Sequence, residues 1–307
     1  MSQTYCFRSL MQALLCASLV SAAITPAMAD TTVEREFALA DGGSLKIINV
    51  QGKIDVRAWS RSEVRLVAEL EGDPESLIVQ HDDDHGEIRV EADKRWYGRS
   101  DSRDADLTID VPENIRLEIS SVSADVSVDG HRGDQRVQSV SGDIEVDGTS
   151  QDVQLETVSG DIEFDGNGAE GRFYVNAVSG DAEVDDVNGE VRVSTISGDA
   201  RVRSDVLDEA KLESVSGEIT LRGHLRKQAR LRAGSVSGEV TLHLCKRENV
   251  EFDLESFSGD IVDRVTRQRP KEEGWGPGSR LRFREGDGSV RVSVNTMSGS
   301  IDIRDCD

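Results

Sequence analysis

The chain is short of aromatic residues, with seven Phe, three Trp and three Tyr in 307 positions. Stacking chemistry is therefore confined to a few places, and any cluster of aromatics is informative. Basic residues are also in deficit: 36 Lys and Arg stand against 59 Asp and Glu, for a formal net charge of −23. A surface this negative disfavours nucleic acid and anionic membranes as partners. The five histidines never take up zinc-ligand spacing. His81 and His85 lie four apart in a polar stretch, and His131, His224 and His243 are isolated. A sustained 3.6-residue apolar period is missing from the mature chain, so helices should be few. A phosphate cradle is excluded on the same ground, because it needs a glycine loop that opens a helix.

Long apolar runs are absent everywhere except at the start. Arg8 precedes an apolar run from Leu10 to about Ile24, and Ala27-Met28-Ala29 supplies a small-residue cleavage pattern. This order predicts a signal peptide at residues 1–29, cut after Ala29. The run is too short to span a bilayer as a mature helix, and Leu15 stands where lipidation of Cys16 would need a small residue. The mature chain, residues 30–307, is then expected outside the cytoplasm (periplasmic, cell-surface or secreted) with no transmembrane segment. Loss of the leader removes one Arg and no carboxylate, so −23 becomes −24. Charge this high can signal disorder, but the regular apolar spacing argues against it.

What is present is a repeat. With position 0 set at the Ser of the Ser-Gly pair, copies fall at Ser123, Ser141, Ser159, Ser179, Ser197, Ser216, Ser237, Ser258 and Ser298. The steps are 18 to 21 residues, apart from a last step of 40. Apolar residues recur at positions −6, −4, −1, +3 and +5, as in Leu155, Val158, Ile162 and Phe164 of the Ser159 copy. The two exceptions at −6 and +5 are Gln135 and Asp263. Spacing of two means strands, and the β-branched bias agrees. Parity changes between −4 and −1, which places a turn near −2 and puts −1, +3 and +5 together on one inner face. One such unit cannot bury its own apolar face, whereas stacked units share a continuous core. The stretch LKIINVQGKIDV at 45–56 fits the columns without the Ser, and HGEIRV at 85–90 fits half of them. The expectation is an all-β, right-handed parallel β-solenoid of about a dozen coils, 18–21 residues each. It forms one domain over 30–307: irregular coils and cap at 30–115, regular coils at 116–263, an insertion at 264–285 and a terminal coil at 286–307.

Repeated VSGDIEV units behind a signal peptide resemble the bacterial "putative adhesin" family of β-strand repeats, domain of unknown function 4097. The resemblance covers roughly residues 45–305. It implies a β-solenoid in the cell envelope, and it brings no catalytic residues with it.

The glycine at +1 has two readings: a missing side chain where space is tight, or a positive φ at a type II corner. Ala124 in that column favours the first. Position +2 is acidic in eight copies, and carboxylates about 5 Å apart repel by roughly 1 kcal/mol even in a water-like dielectric. Solvation, hydrogen bonds from hydroxyls or backbone N–H groups, or a divalent cation can offset this. No cofactor is expected. Calcium suits an oxygen-rich ladder of this kind, with Asp143, Asp161, Asp181 and Asp199 as candidates, although the glycine-aspartate nonapeptide of calcium β-rolls is absent and structural or solvated carboxylates are the plainer reading.

Cys6 and Cys16 leave with the leader, and Cys245 and Cys306 remain where a disulfide is permitted. Both sit at +8, and the Ser258 coil is expected between them. That puts them roughly 10–15 Å apart, beyond disulfide reach, unless the irregular 264–280 segment moves one strand. Two breaks concentrate basic and aromatic residues and are the candidate ligand-binding loops. The first holds Arg95, Trp96 and Tyr97; the second holds Arg269, Trp275 and Arg280. They suit stacking on sugar rings or holding an anionic glycan; solvated loops with an anchoring Trp are the plainer alternative. The sequence points to a non-enzymatic adhesin-like binding or structural module whose partner is a glycan or another envelope protein. The alternative is a carbohydrate-active β-helix enzyme, a polysaccharide lyase or glycosidase on the outer face, although no carboxylate pair can be nominated among 59.

Overall fold

The structure, a computed structural model, describes residues 30–71, 74–91, 104–245, 249–272 and 278–306. It is all-β. Among the described residues the one helical turn is a 3-10 turn at Pro74–Ser76. Period-two alternation produces the strands. Ile144–Gly148 and Val153–Thr157, for example, alternate strictly between buried and outward residues.

Successive repeats lie on one another through parallel ladders in constant register. Leu155 pairs with Val137 on one side and Val175 on the other, and Ile162 pairs with Ile144 and Ala182. Every residue in columns −6, −4, +3 and +5 is buried, and together they form one continuous core. The polar exceptions are accommodated. The Gln135 side chain donates to the buried Ser150 hydroxyl. Asp263 accepts the backbone N–H groups of Val265 and Thr266, closing the turn that follows it.

Column −1 overturns the expected parity. Val122, Val140, Val158, Val178, Ile196, Val215, Val236, Phe257 and Met297 all face solvent, at 38–61% exposure. The alternation −6, −4 continues to −2, where Ser, Thr or Ala is buried in every copy. The chain turns after −2, and the small side chain fills the narrow inner corner. In five copies its hydroxyl donates to a backbone carbonyl, as Thr195 Oγ1 does to Gly198 O at 2.8 Å and Thr296 Oγ1 to Gly299 O at 2.7 Å, whereas the hydroxyls of Ser139, Thr157 and Ser235 are buried without a partner.

The glycine at +1 is required by close approach. A Cβ on Gly198 would lie 2.0 Å from Gly180 O of the preceding repeat, and one on Gly217 would lie 1.9 Å from Gly198 O. The obstruction runs along the stacking direction, backbone against backbone, and not into the core.

At both ends the spatial order departs from chain order. Ser44–Trp59 lies between Arg116–His131 on one side and His85–Val90 with Ala105–Pro112 on the other. At the far end Val290–Thr296 and Ile301–Arg304 of the Ser298 repeat insert between the Ser237 and Ser258 repeats. Antiparallel strands then cover both outer edges: Glu63–Glu71 and Leu77–His81 at one end, Ser279–Arg284 at the other. This order corrects the cysteine expectation. The Ser298 repeat, not the Ser258 repeat, is the direct neighbour of the Ser237 repeat, so Cys245 and Cys306 are adjacent and form a disulfide with Cα atoms 4.9 Å apart.

Candidate functional site: a solvent-facing apolar ridge

Column −1 stacks into a ridge along one corner of the molecule. Backbone bonds fix its rungs: Ser197 N–H donates to Val178 O, Ser216 to Ile196, Ser237 to Val215 and Ser298 to Val236, each at 2.9 Å. The ridge offers side chains only, because its backbone is already paired. Exposed single aliphatics need no explanation, but a contiguous apolar row of nine does.

Beside it run the exposed serines of position 0, and beyond them the acidic ladder. That ladder is held by backbone amides. Asp125, Asp143, Asp161, Asp181 and Asp199 each accept, through Oδ1, the N–H of the +2 residue in the next repeat, at 2.8–3.1 Å. Arg201 adds ion pairs to Asp181 and Asp199 at 3.1 and 2.6 Å. The repulsion foreseen along the column is thus offset by main-chain hydrogen bonds and a guanidinium. Among the described residues, no three His, Cys, Asp or Glu side chains converge to hold a metal ion.

The first basic, aromatic insertion leaves the stack at this same corner, and the second, which departs after Asp263, returns past it. Extending the pairing of Ile48 with Arg89 and of Gly52 with Ala105 puts Glu91 on the rung of Val50 and Asp104 on that of Gln51. Residues 92–103 are therefore inserted between positions −1 and 0. At the other end, Ser279 pairs with Ser256 at −2, and Gly278 lies against the backbone of Ser256 and Phe257. The candidates Arg95, Trp96, Tyr97 and Trp275 fall outside the described residues. Arg269 is exposed. Arg280 is engaged by Asp253 at 3.2 Å and by Glu255 at 3.8 Å, which ties the covering strand Ser279–Arg284 to its neighbour. The ridge itself was missed by sequence reasoning. Its signal was an apolar column directly before a Ser-Gly corner, with a uniformly small column preceding it.

The chain belongs to the Toastrack DUF4097 family, whose sequence model matches residues 44–304. Solved structures similar to it include one from Parabacteroides distasonis ATCC 8503 described as a "putative lipid binding protein". The identity is 13% and the TM-score 0.41, covering 89% of this chain and 96% of that one. A "putative adhesin" from Bacteroides fragilis NCTC 9343 is 13% identical with a TM-score of 0.35, covering 90% and 98%. A "putative cell adhesion protein" from Clostridium sporogenes ATCC 15579 is 13% identical with a TM-score of 0.26, covering 90% and 100%. No functionally curated protein matches this chain. No helix among the described residues is long and apolar enough to cross a membrane.

Proposed function

We propose that this chain is an exported, non-enzymatic envelope contact module, built as a right-handed β-solenoid of about a dozen coils and acting in an adhesin-like or structural role. The observation that carries the reading is the ridge. Nine outward apolar side chains in register add nothing to the core, yet the sequence keeps them in every copy. Export is supported by the leader-like residues 1–29 and by the Cys245–Cys306 disulfide, a bond suited to an oxidising compartment. The partner is a glycan or another envelope protein, with the insertions at the two ends of the ridge supplying Arg95, Trp96, Tyr97, Arg269, Trp275 and Arg280. A glycan-array screen of the intact mature protein, run with and without calcium, tests the loop contribution. Binding that falls on Trp96→Ala or Trp275→Ala is the expected result. No binding, or binding indifferent to both substitutions, overturns it; a calcium requirement would bring in Asp143, Asp161, Asp181 and Asp199.

One observation favours the alternative of a carbohydrate-active enzyme. Asp185 lines a shallow depression with Arg203, Arg222 and His224, and burial raises its pKa despite the hydrogen bond from Arg203. Release of reducing or unsaturated ends from acidic polysaccharide, abolished by Asp185→Asn, would establish that activity.

A further inference from the structure

We infer that the ridge is a self-association surface, and that its occupant is the same ridge of a second copy lying parallel to the first. The inference rests on reading the ridge as a contact surface and names what covers it. Three observations lead there.

The first is spacing. Nine rungs at about 4.8 Å make a row roughly 38 Å long. An α-helix laid along it repeats every 5.4 Å, and an extended strand presents one face only every 6.6–6.8 Å or so. Both drift out of step within a few rungs. Another ladder built on the same strand spacing stays in step over the whole row, as identical side chains do in the dry interfaces of stacked sheets.

The second is area. Exposures of 38–61% over nine side chains leave on the order of 700 Å² per chain, near the ~800 Å² that each partner gives to a standard interface. It also exceeds the patch of roughly 300–600 Å² that is usual on a monomer.

The third is charge. A two-fold axis along the ridge sets the acidic +2 ladder of one copy opposite the −3 column of the other. Six of the nine −3 residues are neutral: Ser120, Gln138, Asn176, Ser194, Gly234 and Asn295. An antiparallel pair would set the two acidic ladders against each other. The other three, Glu156, Glu213 and Glu255, meet the +2 carboxylates of Asp161, Glu218 and Asp260 on the same rungs, so the parallel pair opposes like charges on three rungs where the antiparallel pair opposes two whole ladders.

Sedimentation equilibrium of the mature protein between about 1 and 100 µM tests this. The expected result is a dimer, weakened at least about tenfold by Val178→Lys with Ile196→Lys and also by the smaller change Val178→Thr with Ile196→Thr. Circular dichroism should be unchanged in both. In the parallel pair, Val140→Cys faces its own copy across the axis and should cross-link under mild oxidation. A monomer at 100 µM, a dimer indifferent to both double variants, or a dimer that fails to cross-link through Val140→Cys overturns the proposal. A monomer that still binds a glycan or envelope component through the ridge or its flanking insertions would leave the contact-module reading standing and remove only the self-pairing.

Discussion

His131 ends the strand Arg116–His131 wholly buried, and neither ring nitrogen has a hydrogen-bond partner. Burial pushes its pKa from 6.5 down to about 4, against weaker opposition from the Ile115 backbone and the Asp134 carboxylate. The folded chain therefore holds the neutral ring, while the unfolded chain takes up a proton near 6.5. The contribution to stability is complete above that pH, is lost as pH falls towards about 4, and levels off once the folded form is protonated too. The gap corresponds to roughly 3 kcal/mol. Urea midpoints measured between pH 7.5 and 5 should fall for the native chain and stay nearly level for His131→Leu. Parallel slopes would contradict the account. At lower pH the Asp253 carboxylate, held below its ordinary 3.8 by the hydrogen bond from Arg282, adds a loss of its own.

Within one repeat, each element divides its residues between interior, corner and outer face, and the sequence reveals these unequally. The period, the strand spacing and four core columns are readable because alternation is a direct consequence of the pleat. Column −1 is not, because Val158 and Val178 look like core residues and hydrophobicity marks burial in one direction only. The small residues Ser139, Thr157 and Thr195 are the ones sized for the inner corner, and reading them as turn residues moved the turn by one position. The sequence leaves the acidic column's alternatives open: solvation, hydrogen bonds from hydroxyls or backbone N–H groups, or a cation. The structure shows main-chain amides on its oxygens. Asp161→Asn keeps an acceptor for the Asp181 N–H, so it should leave stability within about 0.5 kcal/mol. Asp161→Ala removes that acceptor and should cost about 1 kcal/mol by chemical denaturation.

Across the whole molecule, the first and last parallel repeats in the chain are each held between two others. This arrangement was not legible beforehand, since two repeats of similar pattern compete for the same neighbour and only tertiary packing chooses. The 40-residue step gave the sole hint: it allows the chain to lay down the Ser258 repeat, reverse through Ser279–Arg284, and return to fill the gap. The disulfide fastens that last repeat across a sequence separation of 61. Closing a loop of this length contributes up to about 4 kcal/mol in the chain-entropy account. Replacing both cysteines by serine should therefore lower stability by up to that amount. Hydrogen exchange should accelerate first in Val290–Thr296 and Ile301–Arg304, while the repeats from Ser141 to Ser197 keep their protection.

The central claim is that column −1 serves contact and not folding. Denaturation of Ile196→Lys beside Val193→Lys, at sub-micromolar chain concentration where association contributes nothing, tests it most directly. The account predicts a change within about 0.5 kcal/mol for the ridge position and a loss of several kcal/mol for Val193, where a buried, unpaired charge replaces a core side chain. Equal losses at the two positions would place Ile196 in the core and contradict it.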